Sequence, residues 1–259
     1  MEAARQPILN VPFVIVALVG VLGLLHAGFK LVLSEDATNE MLLLFAFLPA
    51  RYDSSLPAGL LPGGWGADIW TFVTYAFIHA DLNHLILNLL WLVAFGTPVA
   101  RRFGSLRFIA FFVVTAAAGA AADLVTHFGE LSPMLGASAS VSGAMAAAMR
   151  FAFQRGGPLG RRRRRDESAY RVPAASLGAM LRDPRLLAFL VVWFGVNIVF
   201  GLGTVKLPGV EQSVAWEAHI GGFLAGLLGF SLFDPVRDSP PLADPQDLNQ
   251  DPTGTSMDH

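Results

Sequence analysis

The chain contains no cysteine and little charge: of its 259 residues only 15% are Asp, Glu, Lys or Arg, against 54% hydrophobic. The first absence excludes disulfides, thiolate metal sites and cysteine nucleophiles. The second separates it from soluble globular proteins, in which about a quarter of residues are charged. Several windows of about 18 or more nearly uncharged apolar residues read as membrane spans. The formal net charge of −2 carries little information; the distribution of the charges carries more.

The apolar runs predict an all-α polytopic membrane protein with six transmembrane helices occupying residues 11–233, preceded by a short cytoplasmic N-terminus, 1–10. The first span, Val11 to Leu33, is interrupted only by His26 and Lys30. It is too long for a signal-peptide core and reads as a retained helix. A long outer loop follows over 34–69, within which Met41 to Leu48 is apolar but too short to cross and fits an interfacial or re-entrant segment. The remaining spans are Leu82 to Ala100, Leu106 to Val125, Ala137 to Phe153, Leu186 to Leu202 and Val214 to Phe233, with a basic loop over 154–185. Residues 234–259 are rich in Pro and Asp and nearly free of large apolar side chains, the composition of a disordered tail.

Lys and Arg set the orientation. With six spans and both termini in the cytoplasm, 15 of the 18 basic residues fall inside, leaving only Lys30, Arg51 and Lys206 outside. This asymmetry, with no targeting peptide evident, suggests a bacterial inner membrane. The run Arg161 to Arg165 lies in the predicted cytoplasmic loop, where topology accounts for it better than nucleic-acid binding.

Polar side chains inside spans are costly and therefore candidates for function. His84 and Asn88 share a helix face and can both present N–H donors to one point, as an oxyanion requires. His79 precedes them near the loop. The histidines invite a zinc reading, but there is no His-Glu-x-x-His, and Asp81 is the only carboxylate near His79 and His84; no metal is expected. In the last span His219, Gly222 and Gly226 form one stripe, and the two glycines admit a close partner helix. The span beginning Gly136-Ala137-Ser138-Ala139-Ser140-Val141-Ser142-Gly143 has the small residues to be that partner. Ser138 and Ser142 share a face, whereas Ser140 lies about 200° round from Ser138. Spacing thus nominates Ser138 or Ser142 as the partner of His219. Ser138 has the better case, because it follows Gly136 at a helix start where backbone N–H groups are free. A Ser–His pair can run acyl transfer. No third member is evident: Asp123 ends a span, and Glu217 projects from a different face than His219. A dyad is the economical reading.

These motifs resemble the rhomboid intramembrane serine proteases. The family's Gly-x-Ser-Gly is matched by Gly136-Ala137-Ser138, with Ala139 in the last place. Its Ala-His-x-x-Gly-x-x-x-Gly is matched by Ala218, His219, Gly222 and Gly226, and its His-x-x-x-Asn by His84 and Asn88. The resemblance implies a six-helix bundle with a water-filled cavity opening outward, Ser138 as nucleophile and His219 as general base. It implies an oxyanion hole from His84, Asn88 and the Ser138 N–H, and a structural role for His79. Three departures stand out. Ala139 replaces a glycine, at a cost if that position needs positive φ. Position 142, where an aromatic often packs on the catalytic histidine, is Ser142, so His219 must be held some other way. The Trp-Arg pair common in the family's first loop is absent, Trp65 being followed by Gly66.

The resulting expectation is an endopeptidase of single-pass membrane proteins, without cofactor or nucleic-acid partner, acting in the lipid bilayer. The alternative is a proteolytically inactive relative that binds membrane clients, although such proteins usually lose the serine or histidine. A transporter or channel fits less well, because no half of the chain repeats and the polar residues cluster towards one side.

Overall fold

Uncharged apolar runs close their backbone hydrogen bonds internally when they leave water, and helices result. The computed structural model describes residues 11–57, 59–160, 166–201 and 215–236. The described residues are all-helical, with no strand beyond an isolated antiparallel bridge between Phe47 and Met134. The helices are α1 (Phe13–Leu31), α2 (Glu35–Phe45), α3 (Gly64–Thr74), α4 (Leu82–Trp91), α5 (Thr97–Phe103), α6 (Ser105–Thr126), α7 (Ser138–Met149), the single turn α8 (Leu177–Met180), α9 (Pro184–Gly201) and α10 (Trp216–Phe233). α4 and α5 are joined through a π-helical turn, Leu92–Gly96, into one span, Leu82–Phe103.

Four described helices are long and apolar enough to cross a membrane: Phe13–Leu31, Leu82–Phe103, Ser105–Thr126 and Trp216–Phe233. Their outward faces carry bare apolar side chains, including Leu24, Leu106, Val125 and Leu232, as lipid-facing surfaces do. The chain is an integral membrane protein. The expected fourth span, 137–153, is shorter as observed: α7 ends at Met149 and the chain turns tightly through 150–160. Its 12 residues rise about 18 Å, well short of a hydrocarbon core about 30 Å thick. Every residue from Ala139 to Met149 is buried, so α7 is a helix inside the protein rather than one bathed in lipid.

α7 is enclosed chiefly by α6 and α10, and the contacts are backbone to backbone. A Cβ at Gly222 would fall 2.9 Å from the Ala139 Cα, and one at Gly226 2.5 Å from the Gly143 Cα. One at Gly143 would lie 2.6 Å from Thr115 Cγ2 on α6 and 2.9 Å from the Gly222 carbonyl oxygen. Without a hydrophobic drive between helices in lipid, such close packing is what holds them together.

The connection over 34–69, expected as a long outer loop, is more built than a loop. Ser34 caps α2 by accepting from the Ala37 N–H (3.3 Å). The apolar stretch Met41 to Leu48 is not one segment: its first part ends α2, and Phe47 pairs with Met134 in extended conformation. Arg51 donates to the carbonyl of Pro62 (2.9 Å) and to that of Leu43, and the Trp70 indole donates to Leu44 O (2.8 Å). Opposite-sign pairing secures the other end of the bundle. Arg102, 2% exposed, forks onto the Asp234 carboxylate at 2.8 and 2.9 Å and donates to the Tyr170 and Val172 carbonyls. Its guanidinium also lies 4.6 Å from the Phe151 ring centre and 5.5 Å from that of Phe230. Asp234, where the acidic segment begins, is thereby tied into the bundle. The Arg161 to Arg165 run and residues 237–259 lie outside the described residues.

Candidate active site

The approach to α7 is pinned by backbone hydrogen bonds before the helix begins. Phe47 and Met134 exchange two (3.1 and 2.8 Å), and the Gly136 N–H donates to Tyr75 O (3.0 Å). Tyr75 is itself fixed, its buried hydroxyl donating to the Ala116 carbonyl on α6 (2.8 Å). The Ala137 N–H donates to His79 Nε2 at 3.4 Å, so His79 holds the segment leading to Ser138 from a buried position.

Gly136 then turns the chain at φ +113°, a value that L side chains rarely adopt. The same residue lacks a Cβ where one would lie 2.6 Å from His84 Nε2, 2.8 Å from His84 Cε1 and 3.8 Å from Ser138 Oγ. The imidazole of His84 therefore occupies the space a side chain at 136 would take, beside the Ser138 hydroxyl. Ser138 is the first residue of α7, and Ala137 supplies no capping side chain. The first-turn N–H groups are left without a side-chain acceptor, and the positive end of the helix dipole lies there.

His84 and Asn88 are placed by the start of α4. Asp81 caps that helix, accepting from the His84 N–H (2.8 Å). Asn88, buried, donates one Nδ2 hydrogen to the His84 carbonyl (2.9 Å), leaving the second for another acceptor. The His79 and His84 rings meet edge to face at 5.1 Å.

His219 lies in the first turn of α10, one turn before Gly222, and Gly222 rests on the Ala139 backbone. Ser138 and His219 thus both lie just N-terminal to the close approach of α7 and α10. Ser138, His219, His84, Asn88 and Ser142 all open onto one cavity of about 550 Å³. That volume lies in the range of small-ligand sites, about 300–1,000 Å³. No direct hydrogen bond joins Ser138 Oγ to His219 here; such bonds are often long in unliganded enzymes and tighten when substrate binds.

The other serines are engaged elsewhere. Ser140, buried, donates to the Phe112 carbonyl on α6 (2.8 Å), and Ser142 to the Ser138 carbonyl (2.8 Å). Ala139 is in ordinary helix, so the alanine carries no positive-φ cost. Its methyl is admitted because Gly119 faces it from α6, where a Cβ would lie 2.5 Å from that of Ala139. Asp123 pairs with His127 (3.3 Å), whose other nitrogen lies 3.9 Å from Glu217. Both carboxylates line the cavity, but their hydrogen-bonding and ionic contacts run to His127. No group of three or more metal-ligating His, Asp or Glu side chains occurs among the described residues.

One site residue escapes the motif reading. Asn197 on α9, buried and lining the same cavity, meets His219 Nδ1 through its side-chain oxygen. Its signal was present: it is the sole amide or charged side chain in the apolar run 186–202, where such a group is expensive.

Comparison with known proteins agrees with this architecture. The Rhomboid domain profile matches residues 66–234. The mitochondrial RHOMBOID-like protein 6 of Arabidopsis thaliana is 27% identical over 209 residues, covering 76% of this chain and 58% of that protein. Rhomboid protease GlpG of Serratia proteamaculans is 31% identical over 164 residues, 62% of this chain and 46% of the relative. GlpG of Pectobacterium atrosepticum is 27% identical over 169 residues, 64% and 49% respectively. The chain spans about half the length of the curated relatives it matches. With the match running from the start of α3 to the end of α10, the chain belongs to the rhomboid family.

Proposed function

We propose that this protein is an intramembrane serine endopeptidase that cleaves transmembrane segments of single-pass membrane proteins with a Ser138–His219 dyad. The carrying observation is the convergence around Gly136, whose missing side chain leaves room for the His84 ring beside Ser138 Oγ, in a cavity that His219 and Asn88 also line. Ser138 Oγ attacks the scissile carbonyl carbon while its proton passes to the His219 imidazole. The oxyanion receives hydrogen bonds from the Ser138 N–H, His84 and Asn88 Nδ2. Collapse of the tetrahedral intermediate breaks the C–N bond, and His219 returns the proton to the leaving amine. Water then repeats the sequence on the acyl-enzyme, with no metal or cofactor.

A transmembrane helix hydrogen-bonds its own peptide groups. Substrates whose helix is weakened by Gly, Ala or Pro are therefore preferred, because unwinding exposes the carbonyl. The basic asymmetry supports six spans with both termini cytoplasmic, in a bacterial inner membrane.

The test is cleavage of a single-pass reporter by purified protein in detergent. Ser138→Ala and His219→Ala are expected to abolish cutting while Ser142→Ala retains it. Wild-type cutting by either of the first two would refute the dyad.

A further inference from the structure

His219 has to be oriented by something other than an aromatic at position 142, since that position is Ser142 and its hydroxyl is committed to the Ser138 carbonyl. We propose that Asn197 is a positioning residue: its side-chain oxygen accepts the Nδ1–H of His219, fixing the tautomer whose Nε2 lone pair is free to take the Ser138 proton. The proposal rests on the Ser138–His219 reading above and deepens it from a dyad to a Ser–His–Asn arrangement in which the amide orients the base.

The hydrogen-bond inventory settles the donor and acceptor. Asn197 Nδ2 lies 2.8 Å from the Trp193 carbonyl, which can only accept, so that end of the amide is the NH2. The end facing His219 Nδ1 is then the oxygen, which can only accept in turn, and Nδ1 must carry the hydrogen. A neutral imidazole protonated at Nδ1 has its basic lone pair on Nε2. A neutral amide suits this place in lipid: it stabilises the imidazolium that forms in the transition state without the cost of a buried carboxylate at rest.

The amide is held by rigid neighbours. Trp193 on α9 stacks on Phe223 of α10, with ring centres 4.9 Å apart, and Phe194 meets the same ring at 5.7 Å. Phe223 is one turn beyond His219, so α9 and α10 pack ring on ring beside the imidazole. Asn197 is buried, with 7% of its surface exposed.

The experiment compares wild type, Asn197→Ala and Asn197→Asp for reporter cleavage in detergent, alongside Ser138→Ala and His219→Ala. Nitrogen-15 NMR of the histidines, with His219→Gln for assignment, reports the tautomer. For Asn197→Ala, kcat is expected to fall about 10- to 100-fold with KM little changed, the worth of a hydrogen bond to a group that becomes charged. Asn197→Asp, which keeps the acceptor, is expected to recover most of that loss. In wild type the His219 signals should report protonated Nδ1 and bare Nε2, and in Asn197→Ala a mixture of tautomers.

Wild-type kcat in Asn197→Ala, or equal losses in the Ala and Asp variants, would overturn the proposal while leaving the dyad standing. Activity surviving in Ser138→Ala or His219→Ala would instead overturn the dyad. Should Asn197→Ala fail to fold, the wild-type tautomer still decides, since protonated Nε2 with bare Nδ1 would refute it.

Discussion

Replacing Gly136 by alanine attacks the point where Ser138, the proposed nucleophile, and His84, the proposed oxyanion donor, come together, and its cost has two separable parts. A residue with a side chain held at φ +113° carries about 1–3 kcal/mol of backbone strain. The new methyl would also lie 2.6 Å from His84 Nε2, a clash that can be relieved only by moving the ring or the chain entering α7. Overpacking of this kind costs about 1–3 kcal/mol more. Relief in either direction displaces a group that, under the proposed mechanism, touches the reacting carbonyl. If the whole of this cost of about 2–6 kcal/mol falls on the reacting geometry, kcat/KM should drop at least about 30-fold, at about 1.4 kcal/mol per decade of rate. Gly104→Ala is the control: Gly104 also has positive φ (+79°), but nothing lies within 4 Å of its would-be Cβ. Both variants should unfold at lower temperature in detergent, and only Gly136→Ala should lose activity per folded molecule. Gly136→Ala cleaving the reporter at the wild-type rate would refute the placement of His84 beside Ser138.

Two further perturbations test the frame that carries the site. Arg102→Ala leaves the Asp234 carboxylate without its buried partner and should cost about 3–5 kcal/mol, read as thermal unfolding in detergent; a wild-type midpoint would show that this ion pair does not secure the end of α10. Arg51→Met frees the carbonyls of Leu43 and Pro62, so amide hydrogen exchange across the connection over 34–69 should quicken while that of α7 stays slow; no change would mean that Arg51 does not brace it.

Much of this architecture is legible in the sequence because lipid punishes exceptions. Apolar runs bounded by charge locate α1, the span Leu82–Phe103, α6 and α10 to within a few residues. The extent of α7 is harder to read, since a helix enclosed by protein obeys packing rather than bilayer thickness, and alanines and glycines suit both. Conflict between Ala139 and its motif disappears only in three dimensions, where the residue lies in ordinary helix and Gly119 on another helix makes room for its methyl. Arg51 and Trp70 brace the connection over 34–69 through contacts to backbone carbonyls, which leave no signature in side-chain pattern. Asn197 differs again: it was visible as a costly polar group, but its partner 22 residues away was not.

Labelling with a fluorophosphonate, which phosphonylates an activated serine hydroxyl, followed by peptide mass spectrometry, tests the central claim most directly. The adduct is expected on Ser138, abolished in His219→Ala and retained in Ser140→Ala and Ser142→Ala. An adduct on Ser140 or Ser142 instead, or undiminished labelling of Ser138 without His219, would contradict it.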